Sequence, residues 1–318
     1  MRLVAFVFAF AVALSGGANA QYPDKPIRLI VPQAPGSNTD LYARLVGAEM
    51  SKSLGQQIVI ENRPGAAFVV GLDAIAKSPP DGYTIGMGII GAMAISPHLV
   101  AKLPYDVEKD FEPVALVSRG YLILAVSQQL PVKTVAELID YAKKNPGQLT
   151  NASSSNGAPG HVAGELFKTM AGVQITHVPY RGGSLAVNDL IAGHVQLMFE
   201  GLQSMGPSVR EGKVRGIGIS STTRLAAMPD LAPISDTVPG YEAMTWNGII
   251  APAKTPPEII AKLNRAVNDA LKSPLIVDRF AINGDISGGG TPEDFARLIK
   301  SEYAKWKDVV EKAGVKLE

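Results

Sequence analysis

Cysteine is absent from all 318 residues. Disulfides, thiolate-ligated zinc, iron–sulfur clusters and a thiol nucleophile are excluded together. An excess of either charge is missing too. The chain carries 30 Lys and Arg against 29 Asp and Glu, so it builds no basic field to draw in nucleic acid. Aromatic residues make up only 6%, too few for a platform on which bases stack. With 46% hydrophobic and 19% charged residues, the composition is not that of a disordered chain. Beyond residue 20 no apolar run approaches the ~20 residues that a membrane-spanning helix needs. What is present is enough chain for two domains, and 32 Gly with 23 Pro to make many turns.

The first twenty residues read as an export signal. Arg2 is the only charge before Asp24, Leu3 to Leu14 is unbroken apolar sequence, and Ala18-Asn19-Ala20 supplies a small-residue cleavage site. Cleavage there makes Gln21 the mature N-terminus and leaves equal numbers of basic and acidic residues. No Cys follows to carry a lipid. A soluble exported protein stays near its cell only behind an outer membrane, so the expected location is the periplasm of a Gram-negative bacterium.

From Ile27 onward strand and helix alternate. Ile27–Val31, Gln57–Glu61 and Tyr83–Met87 are predicted strands. Ser37 and Asp40 stand at capping-box spacing before the helix that Gly55 closes. Phe111–Ser118 and Tyr121–Ser127 read as two further strands. Thr134-Val-Ala-Glu137 opens a helix ending near Asn145, and Pro159 opens one ending at Gly172. Leu149–Ala152, Gln174–Val178, Val195–Phe199 and Arg215–Ser220 are strands with helices between them. The tail reads as mostly helical, with capped starts at Thr255-Pro-Pro-Glu258 and Thr291-Pro-Glu-Asp294. Its last part, Lys305 to Lys312 with Trp306, Val309 and Val310, has the pattern of an amphipathic helix packed on its own lobe. Such alternation implies an α/β fold of parallel sheets covered on both faces.

In such sheets ligands sit beyond the carboxyl ends of the strands. Six loops leave a strand and open a helix: Pro32–Thr39, Asn62–Phe68, Gly88–Ala92, Ser153–Pro159, Tyr180–Ser184 and Glu200–Gln203. They are rich in Gly and hydroxyls and poor in charge. A helix amino end carries about half a positive charge and free N–H groups, worth ~0.3–2 kcal/mol to a carboxylate. Several such ends converging would hold an acid without a cationic side chain.

These segments resemble the substrate-binding proteins of tripartite tricarboxylate transporters, the Bug or TctC family. The likeness is carried by Ile30–Gly47 with Pro32, Gly36, Asp40 and Ala43-Arg44; by Glu61-Asn-Arg-Pro-Gly65 followed by Lys77–Thr84; by His177-Val-Pro-Tyr-Arg-Gly182 with Asp189-Leu190 and Gly193–Phe199; and by Trp246-Asn-Gly248 with Ala251–Pro256. It covers essentially the whole chain after residue 20. The resemblance implies a two-lobed periplasmic solute-binding fold of the Venus-flytrap type, each lobe a mostly parallel sheet flanked by helices. Lobe 1 is then 21–121 plus 244–318, and lobe 2 is 122–243, with hinges near Arg119–Tyr121 and Met244–Asn247. It implies a monomeric receptor, not an enzyme, that needs no cofactor and hands a small organic acid to the membrane permease of such a transporter. The residues implied for the ligand are Gln33, Gly36, Ser37, Asn38, Asp40, Ala66, Ala67, Phe68, Ile90, Gly91, Ser153, Ser154, Ser155, His161, Tyr180, Arg181, Gly182 and Glu200.

Departures from the family pattern bear on the ligand. Gln33 stands where an aromatic is usual, Gly36-Ser37 replaces a Gly-Gly pair, and Glu200 stands where Asp is frequent. Pro64-Gly-Ala-Ala-Phe-Val69 replaces a glycine-rich loop, bringing the Phe68 ring where backbone amides normally approach. Phe68 either faces the ligand or packs into its lobe. The first choice predicts one retained carboxylate subsite, a less polar far end, and a larger or aromatic acid rather than citrate.

Rival chemistry has weaker signals. Gly86-Met-Gly-Ile-Ile-Gly91 matches a dinucleotide loop but lacks an acid ending the next strand. Pro97 follows it early, favouring a loop. His161 and Glu165 share a helix face with no third metal ligand in view. Ser153–Ser155 show no adjacent base–acid pair, and there is no G-x-S-x-G elbow. Arg181 has the fork to grip a carboxylate but suits the lobe surface equally. The competing class is an exported hydrolase on a similar scaffold.

Overall fold

The computed structural model describes residues 22–314; the expected export signal and Gln21 lie outside the described residues. The first strand, β1 (Ile27–Val31), is almost wholly buried. Helix α1 (Asn38–Leu54) follows, capped by Ser37, whose hydroxyl accepts the Asp40 amide at 3.2 Å, and closed by Gly55 in the left-handed conformation. β2 (Ile58–Asn62), α2 (Val69–Ala76) and β3 (Thr84–Ile89) complete a parallel β2–β1–β3 unit. After β3 the chain makes a buried π-helical turn, Gly91–Ile95, that runs into the one-turn helix α3 (Ser96–Leu99). Pro97 sits in the first turn of α3, where a missing amide costs no hydrogen bond, so a helical turn forms where a loop was expected.

Two strands were expected between residues 111 and 127, and there is one. β4 (Phe111–Ser127) is continuous over 17 residues. Its first part, Phe111 to Tyr121, pairs antiparallel with β9 (Met244–Pro252). Its second, Leu122 to Ser127, pairs antiparallel with β7 (Leu197–Gly201) and β8 (Val214–Ile219). One strand therefore serves two sheets. The first runs β2–β1–β3–β9–β4, with β10 (Ile286–Gly289) also on β4; the second adds β5 (Thr150–Ser153) and β6 (Thr176–Pro179) in the order β4–β7–β5–β6, with β8 on β4.

Both sheets are mixed, which corrects the expectation of mostly parallel ones. Parallel pairs occur within β1–β3 and within β5–β7; every pair made by β4 or β9 is antiparallel. The reason is topological. β4 carries the chain out of the first sheet and β9 brings it back, so the two run in opposite directions. Ser220, fully buried, joins the crossings: its hydroxyl accepts the Leu122 amide at 2.8 Å and donates to the Ala243 carbonyl at 2.5 Å.

Helices α4 (Val135–Lys144), α5 (Pro159–Ala171), α6 (Gly183–Ala192) and α7 (Leu202–Arg210) belong to the second sheet. At α4, Thr134 accepts the Glu137 amide and Glu137 accepts that of Lys133. α8 (Pro257–Ala270) and α9 (Pro274–Asn283) join α1 on the first sheet, burying Val46, Met50, Leu263 and Phe280. Thr255 does not cap α8; its hydroxyl donates to Pro252 O at 2.7 Å and the helix begins on Pro256. The Thr291–Asp294 box does form at α10 (Pro292–Ala313). α10 lies against both α5 and β4, and its Phe295 and Trp306 join Phe167, Phe199 and Trp246 in one core reaching both sheets. The carboxyl ends of the parallel strands are left facing the groove between the sheets. Among the described residues no helix is long and apolar enough to cross a membrane.

Candidate functional site

That groove holds a cleft of about 470 Å³, within the range of small-molecule sites. It is lined from both sides of the β4–β9 crossing. Leu122, Thr245, Trp246 and Asn247 form its floor, and the strand-to-helix loops form its walls. The first turns of α1, α5 and α7 all reach it, through Asn38 and Thr39, through Pro159 and Gly160, and through Gln203 and Ser204. Among the described residues no Lys or Arg lines it. Three helix amino ends thus bring partial positive charge to a cleft whose walls carry no cation.

The loop after β1 is shaped by Asp40, which is 4% exposed. Its carboxylate accepts the Gly36 amide at 2.9 Å, Arg44 Nε at 3.0 Å and Asn62 Nδ2 at 2.9 Å. Burial alone would raise its pKa; the hydrogen bonds from Arg44, Gly36 and Asn62 hold it below the usual carboxylate range. Asn62 also donates to Gln33 O at 3.0 Å, stitching the first loop to the second. Asp40 is therefore a loop organiser and does not line the cleft.

The second loop is strained. Ala66, Ala67 and Phe68 have φ of 44°, 50° and 75°, three consecutive side-chain-bearing residues in left-handed conformation. Ala67 O accepts the Ser96 hydroxyl at 3.0 Å, which holds the loop in place. The Phe68 ring lines the cleft and lies on Gly91, where an added Cβ would fall 2.7 Å from Cε2. Ring and glycine make one surface. Ala66, Ala67 and Ser155 line an adjoining recess of about 660 Å³ that shares Gln33, Ser37 and Phe68 with the cleft.

The fourth loop rests on two histidines. Ser153, fully buried, donates to Ser155 O at 2.9 Å, so it receives the proton of His177 Nε2 at 2.7 Å. His161 Nδ1 accepts the Gly157 amide at 3.0 Å. The two rings stack at 3.6 Å and 9°. Burial pushes His161 down to about 3 and His177 to about 4, with the second ring and Lys168 adding to the effect on His161, and Lys168 to that on His177. His161 therefore holds its loop as an acceptor from beneath. Glu165 pairs with Lys168 at 2.6 Å and is spent on that contact rather than on a metal. The Ser153–His177 pair has the atoms of a nucleophile and base, but a hydroxyl with no exposure meets no substrate carbon.

The fifth loop supports the fourth. Tyr180 and Gly182 donate their amides to Ser153 O and Ser154 O, each at 2.9 Å, and the Tyr180 hydroxyl donates to Asp189. Arg181 is exposed. None of the three lines the cleft.

Of the residues expected from sequence, Gln33, Gly36, Ser37, Asn38, Phe68, Ile90, Gly91, Ser154 and Glu200 come together on the cleft. Asp40, Ser153, His161, Tyr180, Arg181 and Gly182 do not reach it. Besides neighbours of the expected residues on the same loops and helix starts, two groups of lining residues were missed. Thr245, Trp246, Asn247 and Leu122 lie on the crossing strands; the Trp246-Asn-Gly motif was their signal. Tyr42 and Asp285 meet through a hydroxyl–carboxylate hydrogen bond across 243 residues of sequence, which no local pattern marks. Burial pushes Asp285 up to about 6, against the lowering effect of the Tyr42 hydrogen bond, and pushes Glu200 up as well, against the Gly201 amide.

Comparison with known proteins agrees with this arrangement. A family model described as tripartite tricarboxylate transporter family receptor matches residues 42–315. BugT of Bordetella pertussis is 36% identical over 301 residues, covering 93% of this chain and 92% of its own. An R. palustris protein solved with adipate is 37% identical with a TM-score of 0.84, covering 93% of this chain and 99% of its own. MatC from Rhodopseudomonas palustris, solved with bound malate, is 33% identical with a TM-score of 0.80, covering 91% and 100%. The chain belongs to the tripartite tricarboxylate transporter family of receptors.

Proposed function

We propose that the protein is exported to the periplasm, captures a small organic acid in the cleft, and delivers it as a monomer to the permease of a tripartite tricarboxylate-type transporter, without cofactor or catalysis. The observation that carries this is the convergence of three helix amino ends on a cleft without Lys or Arg. Relatives solved with adipate and malate support a carboxylate as the ligand class. Lobe 1, residues 21–121 and 244–318, and lobe 2, residues 122–243, close about Arg119–Tyr121 and Met244–Asn247. The change of pairing along β4 at Tyr121–Leu122 supports that division.

One carboxylate sits against Ser37, Asn38, Ser154 and the amide ends, and the apolar body of the acid lies against Phe68 and Ile90. A larger or aromatic acid then fits better than citrate. Calorimetric titration with citrate, adipate and benzoate tests this, with thermal unfolding alongside. Ligand at one hundred times its Kd stabilises the fold by ~2.7 kcal/mol, with no product formed. Tight citrate binding without binding of the other two refutes an apolar contact of the acid's body with Phe68 and Ile90.

A further inference from the structure

We propose that the cleft selects an acid with a single carboxylate and a hydrogen-bond donor, ammonium or hydroxyl, at its other end, and that Glu200 makes the selection. The inference rests on reading the cleft as an acid site. Glu200 enters from the end of β7 and Asp285 from the turn after α9, so carboxyl groups stand on two walls. Glu200 Oε1 accepts only the amide of its neighbour Gly201, at 2.9 Å. No protein donor reaches Oε2 among the described residues. That oxygen faces Gly183, where an added Cβ would stand 3.1 Å away. Asp285 accepts only the Tyr42 hydroxyl, and no ion pair neutralises either acid among the described residues. Gln203 adds a buried Oε1 with no partner.

Donors are found elsewhere in the same cleft. The amino ends of α1, α5 and α7 offer amides there. The cleft thus holds donors for one carboxylate and unused acceptors for something else. A second carboxylate brought to Glu200 meets another acceptor with no cationic side chain beside it among the described residues, and the only donor on that carboxyl is the Gly201 amide. An ammonium or hydroxyl group fills the open lone pairs instead. A site built to receive a donor discriminates strongly against an analogue that lacks it.

The test uses three six-carbon acids that differ only at one end: adipate, 6-hydroxyhexanoate and 6-aminohexanoate. Each is titrated calorimetrically near neutral pH into the wild-type protein, Glu200→Gln and Asp285→Asn, with unfolding curves of the unliganded proteins as a check on folding. The wild type is expected to bind a donor-ended acid at least about tenfold tighter than adipate, and Glu200→Gln to remove most of that preference. Adipate binding tighter than both, with the same ranking in Glu200→Gln, overturns the inference while leaving the acid site intact. If Glu200→Gln does not fold, an unchanged ranking in Asp285→Asn together with tightest binding of adipate to the wild type overturns it equally. Failure of a folded wild-type protein to bind any of the three, or benzoate, refutes the acid site itself.

Discussion

The stacked histidines make acid stability a quantitative test of how the fourth loop is held. His161 is 3% exposed and neutral, its Nδ1 engaged with the Gly157 amide and its ring 3.6 Å from that of His177. Two charges at that separation repel by about 5 kcal/mol at an effective dielectric of about 20, so both rings cannot be protonated while stacked. The folded pKa of His161, about 3, lies below the unfolded value of about 6.5. The unfolded chain therefore takes up the proton first, and this residue's stabilising contribution is present above about pH 6.5 and lost as pH falls toward the folded value. Between about pH 7.5 and about pH 4.5 the loss is roughly 2.7 kcal/mol, and it depends only on His161 staying neutral at the lower pH. His161→Phe keeps a ring in the stack and removes the titration. At neutral pH it should be the less stable protein by about 1–3 kcal/mol, since the Gly157 amide loses its acceptor. Urea unfolding across the pH range should show that gap closing by about 2.7 kcal/mol and reversing where the neutral-pH loss is smaller. Asp285 works with the opposite sign, because its raised pKa adds stability as pH falls through about 6, but it does so in both proteins and cancels from the difference. Parallel curves with a constant gap would refute the account of the histidine pair.

Gly160→Ala should destabilise the protein by about 3 kcal/mol or more, because the new Cβ would lie 2.1 Å from the Phe199 carbonyl oxygen, which is backbone and cannot step aside; the urea midpoint reads this directly. Phe68→Gly should leave stability within about 1 kcal/mol of wild type, since relief of about 1–2 kcal/mol of left-handed strain offsets the loss of a partly buried ring. The same variant should bind benzoate more weakly, and unchanged titrations would place the ring outside the ligand's reach. Tyr241→Phe should cost about 1–2 kcal/mol in unfolding, because the buried Ala163 carbonyl loses its donor at 2.9 Å, while ligand titrations stay unchanged.

Local chemistry determined much of this protein by itself. Absent cysteine, balanced charge and alternating strand and helix defined the class. Caps at Ser37, Thr134 and Thr291, and terminators at Gly55 and Gly172, delimited helices because each acts within a few residues of its own position. The charge-poor loops after β1, β3 and β7 were visible as candidates for the same reason. What only the tertiary structure decided depends on pairing between distant segments. β4 runs unbroken through Gly120 because partners on both sides hold it extended, although the local sequence reads as a break. β9 is a strand because β3 and β4 receive it. Asp40 and His161 looked like ligand contacts, but burial and hydrogen bonding turned them into supports for loops that others complete. Asp285 reached the cleft through Tyr42, and Trp246 through the return strand. Composition and spacing record which residues are available, but the approach of residues hundreds of positions apart, and the desolvation that approach imposes, arise only when the two sheets are assembled around β4.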